Sequence, residues 1–380
     1  MTKKKILIFI DWYLPGYKAG GPIQSVSNLV EHLKNEFEFS IITRDTDYCE
    51  SKPYPNVKSD QWNKLQNGVN VYYFSKDQLT RSNIRDLIDK TEFDAVYLNG
   101  IYSLYFTLFP LYYLRKKKKK RIVIAARGMF AESALGVKKT KKRIFLSCIK
   151  ILKMFDDVLF HATTENEKNE IQKVLEKKTK VKVAGNLPQK ANVENVPKRI
   201  KSRDLVRLIN VARIAPEKNL LYALQVLKGV KSSVEFDFYG PIYNLEYWKE
   251  CENAINKLPS NIKVCYKGSI EPERVLDVMR DYHFMFMPTR GENFGHIILQ
   301  SLMIGCPVII SDQTPWKQLY EKNIGWDISL ENTEEFAKTI DSCVLMNQTD
   351  YDQMSNSAFD YAQQYIHNPE ISAQNRALFL

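Results

Sequence analysis

Three groups of residues in this 380-residue chain have the types and spacing to act on a phosphorylated, hydroxyl-rich ligand. Arg213 and Lys218 lie five residues apart in VARIAPEKNL, with Pro216 between them. Two cations on one strand-to-helix turn suit a diphosphate, the guanidinium as a flat fork and the ammonium as a point charge. Standing alone, the same pair would read as two surface charges. In GENFGHIILQ (291–300), Glu292 sits among the glycines Gly291 and Gly295, and Gln300 follows eight positions later. A carboxylate just after a strand can accept hydrogen bonds from ligand hydroxyls. The helix expected to begin near Phe294 or Gly295 offers unpaired N–H groups to an anion, and Gln300, farther along that helix, addresses the same ligand with an amide. The third group is the pair Gly20 and Gly21 in YLPGYKAGGPIQSVSNLV, between a strand and a helix. Backbone free of side chains can approach a phosphate or a sugar closely there, although a plain turn would also use glycine.

Such residues need strands that end at one edge and helices that start there. The apolar runs KKILIFID, FEFSIITR, VNVYYF, FDAVYLNG, RIVIAARG and DDVLFHATT alternate with amphipathic stretches such as SVSNLVEHLKN and ENEKNEIQKVLEKK. That rhythm predicts a mostly parallel sheet covered by helices on both faces. It loosens over PQKANVENVPKRIKSRD and restarts with the strands VRLINVAR, VEFDFYGP, IKVCYKGS, HFMFMPT and PVIISD. The expected organisation is α/β throughout: an N-terminal domain over 1–190, a linker at 191–204, a second domain over 205–354, and a helical segment at 355–380 packing back on the first domain. Doubly wound domains bind ligands at the carboxyl ends of their strands, so the expected site lies in a central cleft that the two domains face.

Charge is divided unevenly. Residues 1–200 hold 37 Lys and Arg against 21 Asp and Glu, whereas 201–380 hold 18 against 23. Within 101–150 the ratio is 14 to 1, which points to an anionic partner for the first half or to a plain solvated surface. The segment IYSLYFTLFPLYYL followed by RKKKKKR has a positive flank, yet its 14 residues include Pro110. A membrane span needs about 20, so a helix between strands is expected, with peripheral membrane contact as a further expectation. The start, MTKKKILIFIDW, is broken by Asp11 and reads as a first strand, not a signal peptide. Six cysteines scattered singly suggest neither a zinc site nor a disulfide framework. The lysines show no interleaved aromatic motif, so nucleic acid is not an expected partner.

In this order the GG loop, VARIAPEK, FDFYGP and PTRGENFGHIILQSLMIGCPVIISD resemble glycosyltransferase family 4, the retaining nucleotide-sugar transferases of the GT-B fold with two Rossmann-like domains. Glu292, Gly305, Pro307 and Val308 match the family's most specific block. The resemblance implies a cytoplasmic, metal-independent hexosyltransferase that takes a UDP- or GDP-linked sugar. Its acceptor would be a glycan or a lipid-diphosphate-linked sugar at the inner membrane, in surface-polysaccharide (capsule or lipopolysaccharide) biosynthesis. It implies that Arg213, Lys218 and Glu292 carry the chemistry, and that Gly20, Gly21, Gly240, Gly268, Asn293, Phe294, Gly295 and Gln300 line the donor site. Two departures qualify it. Gln300 stands where the family has a second glutamate, and a neutral amide accepts a weaker bond than a carboxylate. Arg127 stands near where relatives carry a histidine, so Arg127 and His161 are candidates for contact with an acceptor or phosphate. A nucleotide-sugar epimerase on the same fold, or a donor-binding protein with weakened catalysis, are the alternatives.

Overall fold

The computed structural model describes residues 3–116, 120–131, 139–191 and 193–380. The chain forms two compact units, one of residues 1–190 with 368–380 and the other of 191–367. Each is an α/β unit wound around a mostly parallel sheet.

The strands of the first unit are β1 (Lys4–Phe9), β2 (Phe37–Arg44), β3 (Trp62–Lys64), β4 (Asn70–Phe74), β5 (Ala95–Asn99), β6 (Arg121–Ala125), β7 (Leu159–Ala162) and β8 (Val181–Val183). They lie in the order β3-β4-β2-β1-β5-β6-β7-β8, parallel except where β3 meets β4. The central β1 carries four successive apolar residues, Ile6 to Phe9, each at most 1% exposed. A strand covered on both faces has no reason to alternate. Its helices are α1 (Gly21–Leu33), α2 (Arg81–Lys90), α3 (Phe109–Lys116), α4 (Lys139–Ile151) and α5 (Glu165–Val174). Capping fixes where two of them start: Thr80 Oγ1 accepts from the Asn83 N–H at 3.2 Å, and Thr164 Oγ1 from the Glu167 N–H at 3.1 Å.

The second unit has β9 (Leu205–Val211), β10 (Ser233–Tyr239), β11 (Ile262–Tyr266), β12 (Phe284–Met287), β13 (Val308–Ser311) and β14 (Gly325–Ile328). They run in the order β11-β10-β9-β12-β13-β14, all parallel. Around them lie α6 (Leu220–Lys228), α7 (Leu245–Ile255), α8 (Val275–Met279), α9 (His296–Met303), α10 (Thr333–Leu345) and α11 (Gln348–Ile366). A final helix, α12 (Pro369–Arg376), starts at the proline that marks the expected break and belongs to the first unit. There Arg376 pairs with Glu36, Asn375 Nδ2 donates to the Gly185 carbonyl at 2.7 Å, and Phe379 packs 5.5 Å from Phe37.

Both sheets reverse their winding next to their first strand. The reversal lies between β1 and β5 in one and between β9 and β12 in the other. At such a point the loops leaving two adjacent strands diverge and open a crevice at the strand ends.

Three details differ from the expectations. Strands β3, β8 and β14 are only three or four residues long, too short for a periodicity to announce them. The stretch expected as a loose linker is bound down: Arg199 is 4% exposed and donates to the carbonyls of Arg280, Gly305 and Ile304 at 2.9–3.0 Å. Two of those oxygens follow α9, so the guanidinium satisfies a helix C-terminus with the favoured charge. Residues 355–367, expected to pack back on the first domain, stay in the second unit, whereas the aromatic segment after β5 is helical as expected, turning through a π-helical stretch, Leu104–Leu108, into α3. Ile101, Phe106, Leu111 and Leu114 from it are buried in the first unit's core. No helix among the described residues is long and apolar enough to cross a membrane. Lys117 to Lys119 of the basic run lie outside the described residues.

His283 fastens the second unit. Its Nδ1 accepts from the Arg207 N–H at 3.0 Å and its Nε2–H donates to the Ile200 carbonyl at 2.9 Å. Burial pushes its pKa down to about 4. The unfolded chain therefore takes up this proton first as the pH falls, and stability is lost from the ordinary histidine range near 6.5 downward to about 4, by up to about 1.4 kcal/mol per pH unit. Urea midpoints at pH 7 and 4.5 should fall less steeply for His283→Gln than for wild type. Equal slopes would show that this ring does not set the acid sensitivity.

Candidate active site

The winding reversal of the second unit brings together two loops that are far apart in sequence. Strands β9 and β12 pair directly, Leu208 beside Phe284 and Ile209 beside Met285. The loop after β9 therefore emerges next to the loop after β12. Arg213 and Lys218 come from the first loop and Glu292 from the second. Lys218 Nζ donates to Glu292 Oε1 across this boundary, with the two side chains only 19% and 13% exposed. Arg213 is steadied by Glu217 Oε1 at 3.4 Å and lies over the Tyr243 ring at 5.6 Å.

The arrangement has a chemical sense. A paired ammonium keeps further N–H groups for phosphate oxygens, and a carboxylate has more than one lone pair to offer hydroxyls. Arg213 comes from the same loop as Lys218, so that loop carries two cations while Glu292 carries the hydroxyl acceptor. Low exposure raises the stakes, since either charge left without the other would be a poorly solvated ion.

The two loops are laced together by groups that the sequence does not advertise. The Glu217 carbonyl accepts from the Arg290 N–H at 3.0 Å and from Thr289 Oγ1 at 3.1 Å. Asn219 Nδ2 donates to the Pro288 carbonyl at 2.9 Å, and its Oδ1 accepts from Arg290 Nε at 3.1 Å. Asn219 has φ 62° and is 3% exposed. Asparagine tolerates that left-handed conformation, and the Lys218-Asn219 step before an apolar run was the one available signal for it.

Glu292 is set by its own N–H, which donates to the Gln313 carbonyl at 3.1 Å. Gly295 caps α9 with φ 80°, a left-handed conformation that favours glycine, and a Cβ there would make Ile298 Cδ1, 2.7 Å away, shift. The Phe294 ring is 8% exposed in an aromatic cluster with Trp316 and Tyr365 at 5.5 and 5.8 Å. What Phe294 and Gly295 can offer a ligand is therefore backbone. Asn293 lies between Glu292 and this cluster, and Gln300 is 4% exposed on α9. Gly240 has a reason within the chain: a Cβ would come 1.9 Å from the Ala212 carbonyl oxygen, one residue before Arg213. Its N–H donates to the Gly268 carbonyl at 2.9 Å, which ties together the loops after β10 and β11.

The remaining candidates belong to the first unit. Gly20 caps α1 with φ 72°, and a Cβ on Gly20 or Gly21 would meet nothing within 4 Å. Packing therefore does not explain the glycine at 21. The loop is pinned from the side by Asp47, whose Oδ2 accepts from the N–H groups of Tyr17 and Lys18 at 3.0 and 3.2 Å. Arg127, with φ 54°, spreads its guanidinium over Asn99 Oδ1 and Asn186 Oδ1 at 2.8 Å and the Tyr97 hydroxyl at 2.9 Å. Tyr97 in turn donates to His161 Nδ1 at 2.8 Å, and His161 Nε2–H donates to the Ala184 carbonyl at 2.8 Å. His161 is 2% exposed with both nitrogens engaged inside the chain, so its contact is with Tyr97, not with solvent. Burial, helped by the Arg127 charge, pushes its pKa down to about 3 and keeps it neutral. Glu167, another residue the sequence did not single out, holds the turn after Arg127 by accepting from the Gly128 and Thr163 N–H groups at 2.6 and 2.7 Å. Among the described residues no group of three or more His, Cys, Asp or Glu side chains is placed to hold a metal ion.

Residues 192–360 match the family model described as "Glycosyl transferases group 1". That segment contains Arg213, Lys218 and Glu292. No curated protein sequence matches the chain significantly. Among solved structures, sucrose-phosphate synthase from Thermosynechococcus elongatus is similar with a TM-score of 0.72 at 14% identity, over 100% of this chain and 98% of that one. HepE of Anabaena, solved with UDP and glucose, gives a TM-score of 0.72 at 13% identity over 98% of each chain. A trehalose-6-phosphate protein from E. coli, bound with UDP-2-fluoro glucose, gives 0.68 at 9% identity, over 98% of this chain and 97% of that one. At these identities the likeness is one of fold, and the fold is GT-B.

Asn219→Ala removes two hydrogen bonds between the loops and leaves the Pro288 carbonyl without its donor. The expected cost is about 1–3 kcal/mol in stability, and displaced loops should weaken nucleoside diphosphate binding by about tenfold. Calorimetric titration with UDP and with GDP, beside a urea melt, checks both. Wild-type affinity for both nucleotides would show that the lacing does not position the site.

Proposed function

We propose that the chain is a retaining hexosyltransferase. It moves a sugar from a UDP- or GDP-linked donor to a glycan or lipid-diphosphate-linked acceptor in surface-polysaccharide biosynthesis. The observation that carries this reading is the Lys218–Glu292 pair at the winding reversal between β9 and β12, with Arg213 on the same loop as Lys218. It lies in the part of the chain matched by the group 1 glycosyltransferase model. UDP compounds are the first donors to try, because two of the similar structures were solved with them.

In this reading the bond from the sugar C1 to the diphosphate oxygen breaks, and a bond from C1 to the acceptor oxygen forms on the same face. The acceptor's proton passes to an oxygen of the departing diphosphate, so no side-chain base is required. Charge grows on the leaving group, and Arg213 and Lys218, held in place before the reaction, stabilise it. Glu292 accepts from donor sugar hydroxyls and keeps Lys218 aimed. The backbone at Asn293, Phe294 and Gly295 closes the sugar end, and Gln300 accepts from the nucleotide's ribose. No metal is needed in this scheme, so chelation should leave turnover unchanged.

Arg213→Ala and Lys218→Ala should each lower turnover by about two orders of magnitude, the scale of removing one preorganised electrostatic donor. Circular dichroism should stay native. The assay is release of nucleoside diphosphate from a panel of sugar nucleotides, with and without acceptor glycans. Full activity in both variants would place the donor site elsewhere.

One residue favours a second reading, a donor-binding protein with weakened catalysis. Gln300 offers the ribose a neutral acceptor where a carboxylate would make a charge-assisted bond. Gln300→Glu should tighten nucleotide binding by up to about tenfold, since such a bond adds roughly a kcal/mol. Calorimetry reads this directly. If binding rises and turnover rises with it, the transferase reading holds. A variant that binds nucleotide less well means that this pocket is built otherwise.

A further inference from the structure

We propose that the first unit docks on an anionic lipid surface through the exposed stripe of Ile144, Ile151 and Leu152. Eleven large hydrophobic side chains stand exposed among the described residues, and most are scattered singly. Scattered ones need no explanation. Five of the eleven, Leu104, Tyr112, Ile144, Ile151 and Leu152, lie in just two stretches, 104–116 and 139–153.

Those stretches are neighbours. The Tyr102 and Phe145 rings are 5.0 Å apart, Lys142 Nζ stands 5.3 Å over Tyr102, and Arg115 Nη1 donates to the Lys153 carbonyl at 2.5 Å. Helix α4 buries Leu146 and Ile149 in the core of the unit. Its other side carries Ile144 at 60% and Ile151 at 80% exposure, with Leu152 just beyond at 64%. Positions 144, 151 and 152 fall within one stripe of a helix, seven and eight residues apart. A surface helix of a globular unit ordinarily turns polar residues outward on that stripe.

The charge around the stripe identifies the occupant. Residues 101–153 hold 15 Lys and Arg and a single acidic residue, and the exposed pair Asp156 and Asp157 follows. Lys116, Lys150 and Lys153 are exposed on the two stretches, and Lys116 also covers the Tyr112 ring at 4.6 Å. Apolar side chains set among cations are what an interfacial helix presents to acidic headgroups. A second copy of this chain would bring the same positive field against itself, which opposes pairing. The inference does not rest on the donor chemistry, which is placed in the other unit.

The test is co-sedimentation of the full chain with vesicles of phosphatidylglycerol and phosphatidylcholine, or of phosphatidylcholine alone, at low and high salt. Wild type should sediment with the anionic vesicles and be released by salt, which screens the headgroup attraction. Ile144→Ser, Ile151→Ser and Leu152→Ser combined should lower that binding at least about tenfold, with an unchanged melt and unchanged nucleoside diphosphate binding. Should the triple variant melt early, Ile151→Ser alone, at the most exposed position, should still lose about threefold. Wild type left in the supernatant at low salt overturns the proposal. So does a variant that sediments like wild type, or a wild-type dimer that the triple variant dissolves.

Discussion

The candidate site of the second unit depends on one contact, the ion pair of Lys218 with Glu292. The partners are 74 residues apart, and they meet because β9 and β12 are hydrogen-bonded neighbours although they are not consecutive. Everything between them, two strands and their helices, serves to return the chain to the same edge. Two charges of low exposure are tolerable only as a pair, so the register of β12 on β9 is tied to the chemistry at the strand ends. Asn219 and Thr289 make the same junction rigid with uncharged groups. The loops that hold the charges are thus fixed by bonds that do not change when an anionic ligand arrives.

Much of this was legible in the sequence. The alternation of apolar runs and amphipathic stretches identified the doubly wound architecture, because a two-sided sheet leaves continuous runs such as Ile6 to Phe9. Arg213, Lys218 and Glu292 were legible because charges among apolar or glycine-rich neighbours conflict with local burial. Asn219, Thr289, Tyr243 and Glu167 were not. Asn219, Thr289 and Glu167 act on backbone groups of other loops and Tyr243 on the Arg213 side chain, and no local pattern encodes partners 30 or more residues away. The short strands β3, β8 and β14 escaped for a different reason, having too few residues to show a period.

Two candidates of the first unit, Arg127 and His161, belong to one network. Arg127 follows β6 and His161 lies in β7. The structure joins them through Tyr97 into one chain of hydrogen bonds that ends on the Ala184 carbonyl. His161 is the interior anchor of that chain, kept neutral by burial. Arg127, half-buried, is the member nearest the surface. Its three uncharged partners, Asn99, Asn186 and Tyr97, orient its charge without neutralising it. A guanidinium so held keeps its full attraction for an anion.

The return of the chain to the first unit at Asn368 bears on how the molecule is made. Leu378 and Phe379 are buried in that unit, with Phe379 against Phe37 and Tyr97. A domain emerging from the ribosome normally folds before the next one is synthesised. Here the first unit waits until the whole second unit has been translated before its last aromatic ring arrives. Until then Phe37 and Phe39, on the early strand β2, lack a covering side chain. The nascent protein therefore spends the synthesis of 177 residues with an apolar seam that lacks its native cover.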